Sequence, residues 1–338
     1  MTITLSSLMQ PGRTAVVTGA ASGIGKAACL AFAQAGMSVW MIDNDAEDLQ
    51  QAQHDIQQQI VPLASNDNNN NKSSATVLTR VLDVTDRDAM ERLAQDVYDT
   101  TGDCAILFNN AGTGRNAGPP SAMDPTVLDR IMQVNTYGPL YGCQAFVPKM
   151  KQQQQGSTSS SCMIINTGSK QGITCPPGNE AYNMSKAALK VYTEGLQHEL
   201  RQSSSSRIRV VLLVPGWVHT KIHVKAARAE QANESRGGDV NTEIAPPHNE
   251  DQVPAGAWHP SQLIDFMKEQ LDHGPPESFY IVCPDGEVDW ETDRCRMTWA
   301  MQDVTENRPP RSRWHPDYAA AFATYLSAHY DSLSLSNK

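Results

Sequence analysis

Residues Arg13–Gly36 constrain the fold more tightly than any other stretch of the 338-residue chain. RTAVV (Arg13–Val17) is short, apolar and rich in β-branched residues, which predicts a buried strand. TGAASGIG (Thr18–Gly25) follows directly, and KAACLAFAQAG then carries a helical pattern that stops at Gly36. Strand, glycine-rich turn and helix in succession form the first half of a βαβ unit. Glycines permit the sharp bend and let a pyrophosphate approach the backbone, where the helix N-terminus presents free N–H groups. A plain glycine turn is the alternative, and the spacing Gly19–Gly23–Gly25 departs from the general GxGxxG dinucleotide pattern.

The next apolar run, MSVWMID, ends at Asp43, about twenty residues beyond the glycines, where a dinucleotide fold places its ribose-binding acid. A carboxylate there accepts from both adenosine ribose hydroxyls and repels a 2′-phosphate. Asn44, Asp45 and Ser22 bring no positive charge, so NAD is favoured over NADP. The competing role for Asp43 is to cap the following helix. Further strands are expected at Thr76–Val84, Cys104–Asn110, Ser161–Gly168, Arg207–Val214 and Ser278–Cys283. Helical patterns separate them at Asp86–Thr100, Asp124–Lys151, Asn179–Gln202 and Ser261–Asp272. This alternation predicts an α/β fold: a doubly wound, mostly parallel sheet of Rossmann type with helices on both faces. It forms a single domain over residues 13–285, after a leader at 1–12 and before a C-terminal helical extension at 286–338.

Polar tracts at Asn66–Asn71, Gln152–Ser161 and Ser203–Ser206 each fall between a helix and the next strand, at the sheet edge away from ligands. The stretch 217–258 instead follows a strand, so it should overhang the ligand-binding edge as an extended substrate loop.

Composition narrows the partners. A net charge of −10 gives no electrostatic reason to expect nucleic acid or an anionic membrane. The N-terminus lacks a basic start followed by an apolar run, and no apolar stretch approaches the roughly 20 residues that span a bilayer. A soluble, cytoplasmic protein is the expectation. The seven cysteines form no CxxC pair and read as reduced, structural residues.

SKQGITCPPGNEAYNMSK (Ser169–Lys186) offers a hydroxyl, a tyrosine, and a lysine one helical turn after that tyrosine. An ammonium beside a phenol favours the phenolate and makes a usable acid/base. On its own the spacing fits an exposed helix face equally well. Five features stand in one order, however: TGAASGIG, Asp43, NNAG (Asn109–Gly112), Asn135 in VNTYG, and Ser169 with YNMSK. Together they resemble the short-chain dehydrogenase/reductase family from about Arg13 to Thr220. The family uses the glycine pattern TGxxxGxG, and Tyr182 stands 13 residues after Ser169, as it does there.

The resemblance implies the residue roles. Gly19, Gly23 and Gly25 would cradle the pyrophosphate and Asp43 would hold the ribose, with Thr18, Ser22 and Ile24 also binding the cofactor. Asp83 would meet the adenine amino group with Val84 beside it, and Asn109, Asn110, Ala111 and Gly112 would close the floor. Pro215 and Gly216, with Thr220, would contact the nicotinamide amide, and Val218 would also bind the cofactor. Tyr182 would be the general acid/base, its pKa of about 10 lowered by Lys186 and by the oxidised cofactor. Lys186 would also hold the nicotinamide ribose, Ser169 would donate to the substrate oxygen, and Asn135 would anchor a relay water. The implied activity is NAD(P)-dependent interconversion of a secondary alcohol and a ketone in a homodimer or homotetramer. An NAD-binding sensor or scaffold without turnover is the other class considered. Epimerases or dehydratases of nucleotide sugars usually show a different glycine spacing and a larger C-terminal domain.

His219 and His223 are four apart, a spacing that can bind a metal, but no glutamate completes HExxH and no third ligand is evident. No metal is expected. In the C-terminal region, Glu287–Val304 and Asp317–Leu326 read as helices around the break at Pro309–Pro310. Trp290, Trp299 and Trp314 are expected to pack the chain end on the core. The sharper alternative is a tail that covers the substrate cleft or a neighbouring subunit.

Overall fold

The structure is a computed structural model that describes residues 3–65, 75–155, 161–203, 206–222 and 252–336. Seven strands form one sheet: β1 (Thr14–Thr18), β2 (Ser38–Asp43), β3 (Val77–Val81), β4 (Ile106–Asn109), β5 (Cys162–Thr167), β6 (Ile208–Val214) and β7 (Tyr280–Val282). All neighbours pair in parallel, in the spatial order β3-β2-β1-β4-β5-β6-β7. Parallel neighbours cannot be joined by a tight turn, so helices carry the chain back across the sheet faces. The helices are α1 (Leu5–Leu8), α2 (Gly23–Gln34), α3 (Ala46–Ser65), α4 (Arg87–Thr101), α5 (Pro125–Met132), α6 (Gly138–Gln153), α7 (Gln171–Thr174), α8 (Glu180–Arg201), α9 (Pro260–His273), α10 (Trp290–Thr305) and α11 (Pro316–Ser336).

Every residue of β1, β4, β5 and β6 is buried, which explains their unbroken apolar runs. Strand alternation sorts their side chains between two cores. Val17, Met41, Phe108, Ile165 and Leu213 pack with Phe32 of α2 and Met267 of α9. Val16, Trp40, Leu107, Ile164 and Val210 pack on the other face with Leu93 of α4, Phe146 of α6 and Leu200 of α8. The strand order reverses at β1, between β2 and β4, so a crevice opens at the C-terminal ends of β1 and β4.

Three sequence expectations change. The segment Asp124–Lys151 is not one helix: a π-helical turn at Gln133–Tyr137 separates α5 from α6. β3 ends at Val81 rather than Val84, because Asp83 Oδ1 accepts from Thr85 N at 3.0 Å and turns the chain out of the sheet. The leader is part of the core: Leu5 and Leu8 are buried, and Ser6 N donates to Asp272 Oδ1 of α9 at 2.7 Å. All seven cysteines are free. The run Asn66–Asn71, residues 156–160, 204 and 205, and residues 223–251 of the substrate loop lie outside the described residues, and with them His223.

Of the three C-terminal tryptophans, only Trp299 packs as expected. It is buried, donates from Nε1 to Ser312 Oγ at 2.7 Å, and meets Phe322 and Tyr325 of α11 at 5.3 and 5.2 Å between ring centroids. Trp290 and Trp314 are exposed. Two ion pairs tie this extension to the body: Arg311 Nη1 to Glu180 Oε1 at 2.8 Å, and Asp293 Oδ2 to Lys170 Nζ at 2.5 Å. Deleting residues after Asn307 strips the cover from Trp299, and the expected loss is roughly 3 kcal/mol, the cost of a large core truncation. Chemical denaturation of the truncated protein measures it, and an unchanged midpoint would show that the extension is independent of the body.

Candidate active site

A cleft of about 860 Å³ lies at the crevice and gathers residues from every strand end between β2 and β6. Its floor is the glycine turn. Gly19 has φ +67°, and a Cβ there would lie 2.8 Å from Ala111 Cα, so only glycine fits between β1 and the NNAG segment. A Cβ on Gly25 would collide with Gly19 O, which lets α2 begin against its own turn. Asp86 and Asp124 cap α4 and α5 with their carboxylates, whereas Ser22, at the start of α2, makes no side-chain cap bond. The first N–H groups of α2 therefore face the cleft with the helix dipole behind them, suited to a phosphate.

Asp43 sits at the end of β2. Its Oδ2 accepts from Ala21 N and its Oδ1 from Asp45 N, each at 3.1 Å, which fixes the carboxylate and leaves lone pairs on both oxygens. The expected helix-cap alternative is not its bond pattern, since Asp45 rather than Asp43 accepts from Asp48 N in the first turn of α3. Asp83 lines the same end. Burial pushes its carboxyl up, but bonds from Thr85 and Arg130 outweigh this and hold it below the usual carboxylate range. Arg130 Nη2 reaches Asp83 Oδ2 at 2.9 Å and Lys221 Nζ lies 3.4 Å from Asp48 Oδ1, so these two cations of the cleft wall are already engaged by carboxylates.

At the other end, Ser169 follows β5, and α8 brings Tyr182 and Lys186. Ser169 and Tyr182 both line this end of the cleft, where the Ser169 side chain acts to lower the phenol pKa, while Lys186 Nζ lies 5.7 Å from the phenol ring centroid. Lys186 is buried and donates from Nζ to Thr167 O at 2.7 Å. Burial depresses its pKa from 10.5 to about 8. The phenol departs from expectation: desolvation around it raises its pKa, only partly opposed by the Ser169 bond. The lysine does not reverse this, because its ammonium is anchored on the β5 carbonyl rather than on the phenol oxygen.

Gly19, Ser22, Gly23, Ile24, Asp43, Asp83, Val84, Asn110, Ala111, Gly112, Ser169, Tyr182, Lys186, Pro215, Gly216, Val218 and Thr220 all line the cleft. Thr18, Gly25 and Asn135 stand one layer behind it. Thr18 Oγ1 accepts from Asn110 N and Ala111 N, both at 3.0 Å. Asn135, in the π-turn, accepts from Thr113 N at 2.8 Å and donates to Thr113 O and Ser185 Oγ at 2.9 and 3.0 Å. Asn109 turns away from the floor, and its Nδ2 donates to Asn166 Oδ1 at 2.9 Å. Residues not anticipated from sequence are Thr167, Arg130 and the group Lys170, Asp285 and Asp293. Lys170 Nζ lies 3.2 Å from Asp285 Oδ2, and that same oxygen accepts from Trp217 N at 3.1 Å. This pair packs directly over Gly216, where a Cβ would lie 2.4 Å from Asp285 Oδ2.

The fold and cleft define a dinucleotide-binding α/β protein whose cofactor groove meets a Ser–Tyr–Lys cluster. A sequence profile for short chain dehydrogenases matches residues 13–231. A 1-deoxy-11-beta-hydroxypentalenate dehydrogenase from Streptomyces exfoliatus is 30% identical over 230 residues, which cover 68% of this chain and 74% of that one. A short-chain dehydrogenase/reductase from Burkholderia phymatum, solved in complex with NAD, superposes with a TM-score of 0.70 at 25% identity, covering 89% of this chain and 96% of that one. A metagenomic short-chain oxidoreductase solved in complex with NADP gives a TM-score of 0.52 at 27% identity, covering 70% and 98%. The chain belongs to the short-chain dehydrogenase/reductase family of oxidoreductases. Among the described residues no helix is long and apolar enough to cross a membrane.

The depressed Lys186 pKa has a stability consequence. Between pH 8 and 10.5 the unfolded chain binds more protons at this site than the folded one, so folding stability rises with pH there. The burden of the buried charge is fully present below about pH 8 and is gone above 10.5, a span of about 3 kcal/mol. The stability difference between wild type and Lys186→Met should therefore drift in favour of wild type across that window. Parallel urea-stability profiles of the two proteins would refute the assignment.

Proposed function

We propose that the chain is an NAD-preferring oxidoreductase that interconverts a secondary alcohol and a ketone, with Tyr182 as general acid/base. The observation that carries this reading is the convergence of the Ser169 hydroxyl, the Tyr182 phenol and the buried Lys186 ammonium at the end of a groove built for a dinucleotide. The relative named a dehydrogenase, and the neighbours bound to NAD and NADP, support hydride chemistry. When bound, the nicotinamide supplies the hydride acceptor or donor and, in its oxidised form, a positive charge.

The chain's own residues position and exchange the proton. The uncapped start of α2, with Gly19, Gly23 and Gly25, holds the pyrophosphate; the free lone pairs of Asp43 accept the adenosine ribose hydroxyls; Asp83 and Val84 meet the adenine. Pro215, Gly216, Val218 and Thr220 wall the carboxamide side. Ser169 donates to the substrate oxygen and fixes it beside the phenol. Tyr182 takes the hydroxyl proton in oxidation and returns it in reduction. Lys186 holds the second ribose and keeps a positive charge beside the phenol. Both amide donors of Asn135 are used within the protein, so a relay water there is held by an acceptor of this residue. A homo-oligomer is part of this reading: the exposed Tyr137, Met184 and Val191 lie within Asp124–Lys151 and Asn179–Gln202, the two segments through which the family resemblance implies pairing.

Tyr182→Phe should lower kcat by about 10²–10⁴ while leaving NAD affinity within a few-fold. Undiminished turnover, followed by nicotinamide absorbance over a panel of secondary alcohols and ketones, would remove Tyr182 from the chemistry. On the same panel kcat/KM should be higher with NAD than with NADP, and Asp43→Asn should narrow that gap. An NADP preference in the wild type would overturn the role given to Asp43.

A further inference from the structure

A second cavity, of about 230 Å³, lies between α7 and the C-terminal extension, away from the glycine turn. Four guanidinium groups line it, Arg296, Arg308, Arg311 and Arg313, against one carboxylate, Asp303. Two of the four are neutralised within the protein. Arg308 Nε lies 3.1 Å from Asp303 Oδ1, and Arg311 Nη1 lies 2.8 Å from Glu180 Oε1. Asp303 has little left to offer, since its two oxygens also accept from Ser312 Oγ at 2.6 Å and Ser312 N at 3.0 Å.

Arg296 and Arg313 are different. Neither makes an ion pair with a carboxylate among the described residues, and Nη1 of Arg313 is buried with no hydrogen-bond partner. Asp289 and Asp293 act on Arg296, and Asp293 on Arg313, only through space; Lys170 already holds the Asp293 carboxylate. The two guanidiniums repel one another, and burial together with that repulsion pushes Arg313 down to about 10. Its plane is fixed by stacking 3.9 Å from the Trp314 ring centroid, as Arg308 is fixed 4.0 Å from that of Trp299. A buried donor without an acceptor beside a like charge is costly, and an anion relieves both terms together.

We propose that this cavity binds a small oxyanion, a carboxylate or phosphate group held between Arg296 and Arg313. Planar guanidiniums suit either group through paired N–H···O bonds. The occupant would sit at the joint between the extension and the catalytic segment: α7 follows Ser169, and Arg311 on the same wall is bonded to Glu180, the first residue of α8.

The test is isothermal titration of the full-length protein, saturated with NAD so that the pyrophosphate cradle is filled, at constant ionic strength. Inorganic phosphate is titrated in one arm and succinate in the other. Saturable binding of at least one is expected, weakened about tenfold or more in Arg296→Gln and in Arg313→Gln, with NAD affinity unchanged. Binding of only one probe identifies the anion class. Should Arg313→Gln fail to fold, the half-exposed Arg296→Gln carries the comparison alone. No saturable binding of either probe, or the same affinity in wild type and variants, would overturn the site. The comparison of variants, not the NAD, assigns the site, so the outcome does not depend on which cofactor the cleft prefers.

Discussion

A single ammonium group, buried where β5 ends, sets the terms for the half of the cleft that β5 and α8 build. Lys186 Nζ has one protein acceptor at hydrogen-bond distance, the Thr167 carbonyl, so α8 must lie against the end of β5 for the charge to be tolerated at all. Other buried polar groups hold α8 in that place. Asn166 Nδ2 donates to Thr193 Oγ1 at 3.0 Å while Asn166 Oδ1 accepts from Asn109, joining β4, β5 and α8 in one chain of bonds. Asn135 reaches Ser185, whose hydroxyl donates in turn to Tyr182 O at 2.8 Å. A buried network of this kind specifies one arrangement because every alternative leaves a donor or acceptor unpaired. That network reaches the main chain from which the Tyr182 ring projects.

The cofactor half is built by omission. Gly19 and Gly25 are defined by what a Cβ would strike, and the start of α2 by the cap it lacks. Thr18 then closes the structure from behind, accepting from two successive N–H groups of the NNAG segment and pinning β4's exit to β1's. An open helix end and a backbone-walled turn cost stability unless something negative fills them, which is why such features collect at binding sites. Asp43 illustrates the same economy: one carboxylate fixes the turn through Ala21 and still presents lone pairs to the groove.

The fold was legible in the sequence because its strands are covered on both faces and therefore read as short apolar runs separated by helical periods. The candidate site was legible where it depends on residue type at fixed spacing: the glycines, Asp43, Ser169, Tyr182 and Lys186. What escaped reading has a different physical character. The π-turn at Gln133–Tyr137 inserts a residue into a pattern that remains amphipathic, so VNTYG looks like ordinary helix. Thr167 acts through its main-chain carbonyl, which no side-chain pattern records. Arg130 with Asp83, and Lys170 with Asp285, join residues far apart in the chain, and their meeting is decided by the topology. The tryptophans misled for the converse reason: large apolar side chains suggest burial, yet only Trp299 has Phe322 and Tyr325 to pack against.

The same burial sets the electrostatics of the proposed proton-transfer pair. Burial moves the Tyr182 phenol up and the Lys186 ammonium down, so both are driven toward their neutral forms. A neutral phenol is a proton donor, the form that reduction of a carbonyl consumes; oxidation of an alcohol starts from the phenolate. The chain by itself therefore favours the neutral phenol, and of the groups acting on it only Ser169 works the other way. Positive charge added to the cleft stabilises the phenolate, and the oxidised nicotinamide is the natural source of it. The fixed contributions of the chain are distance and orientation.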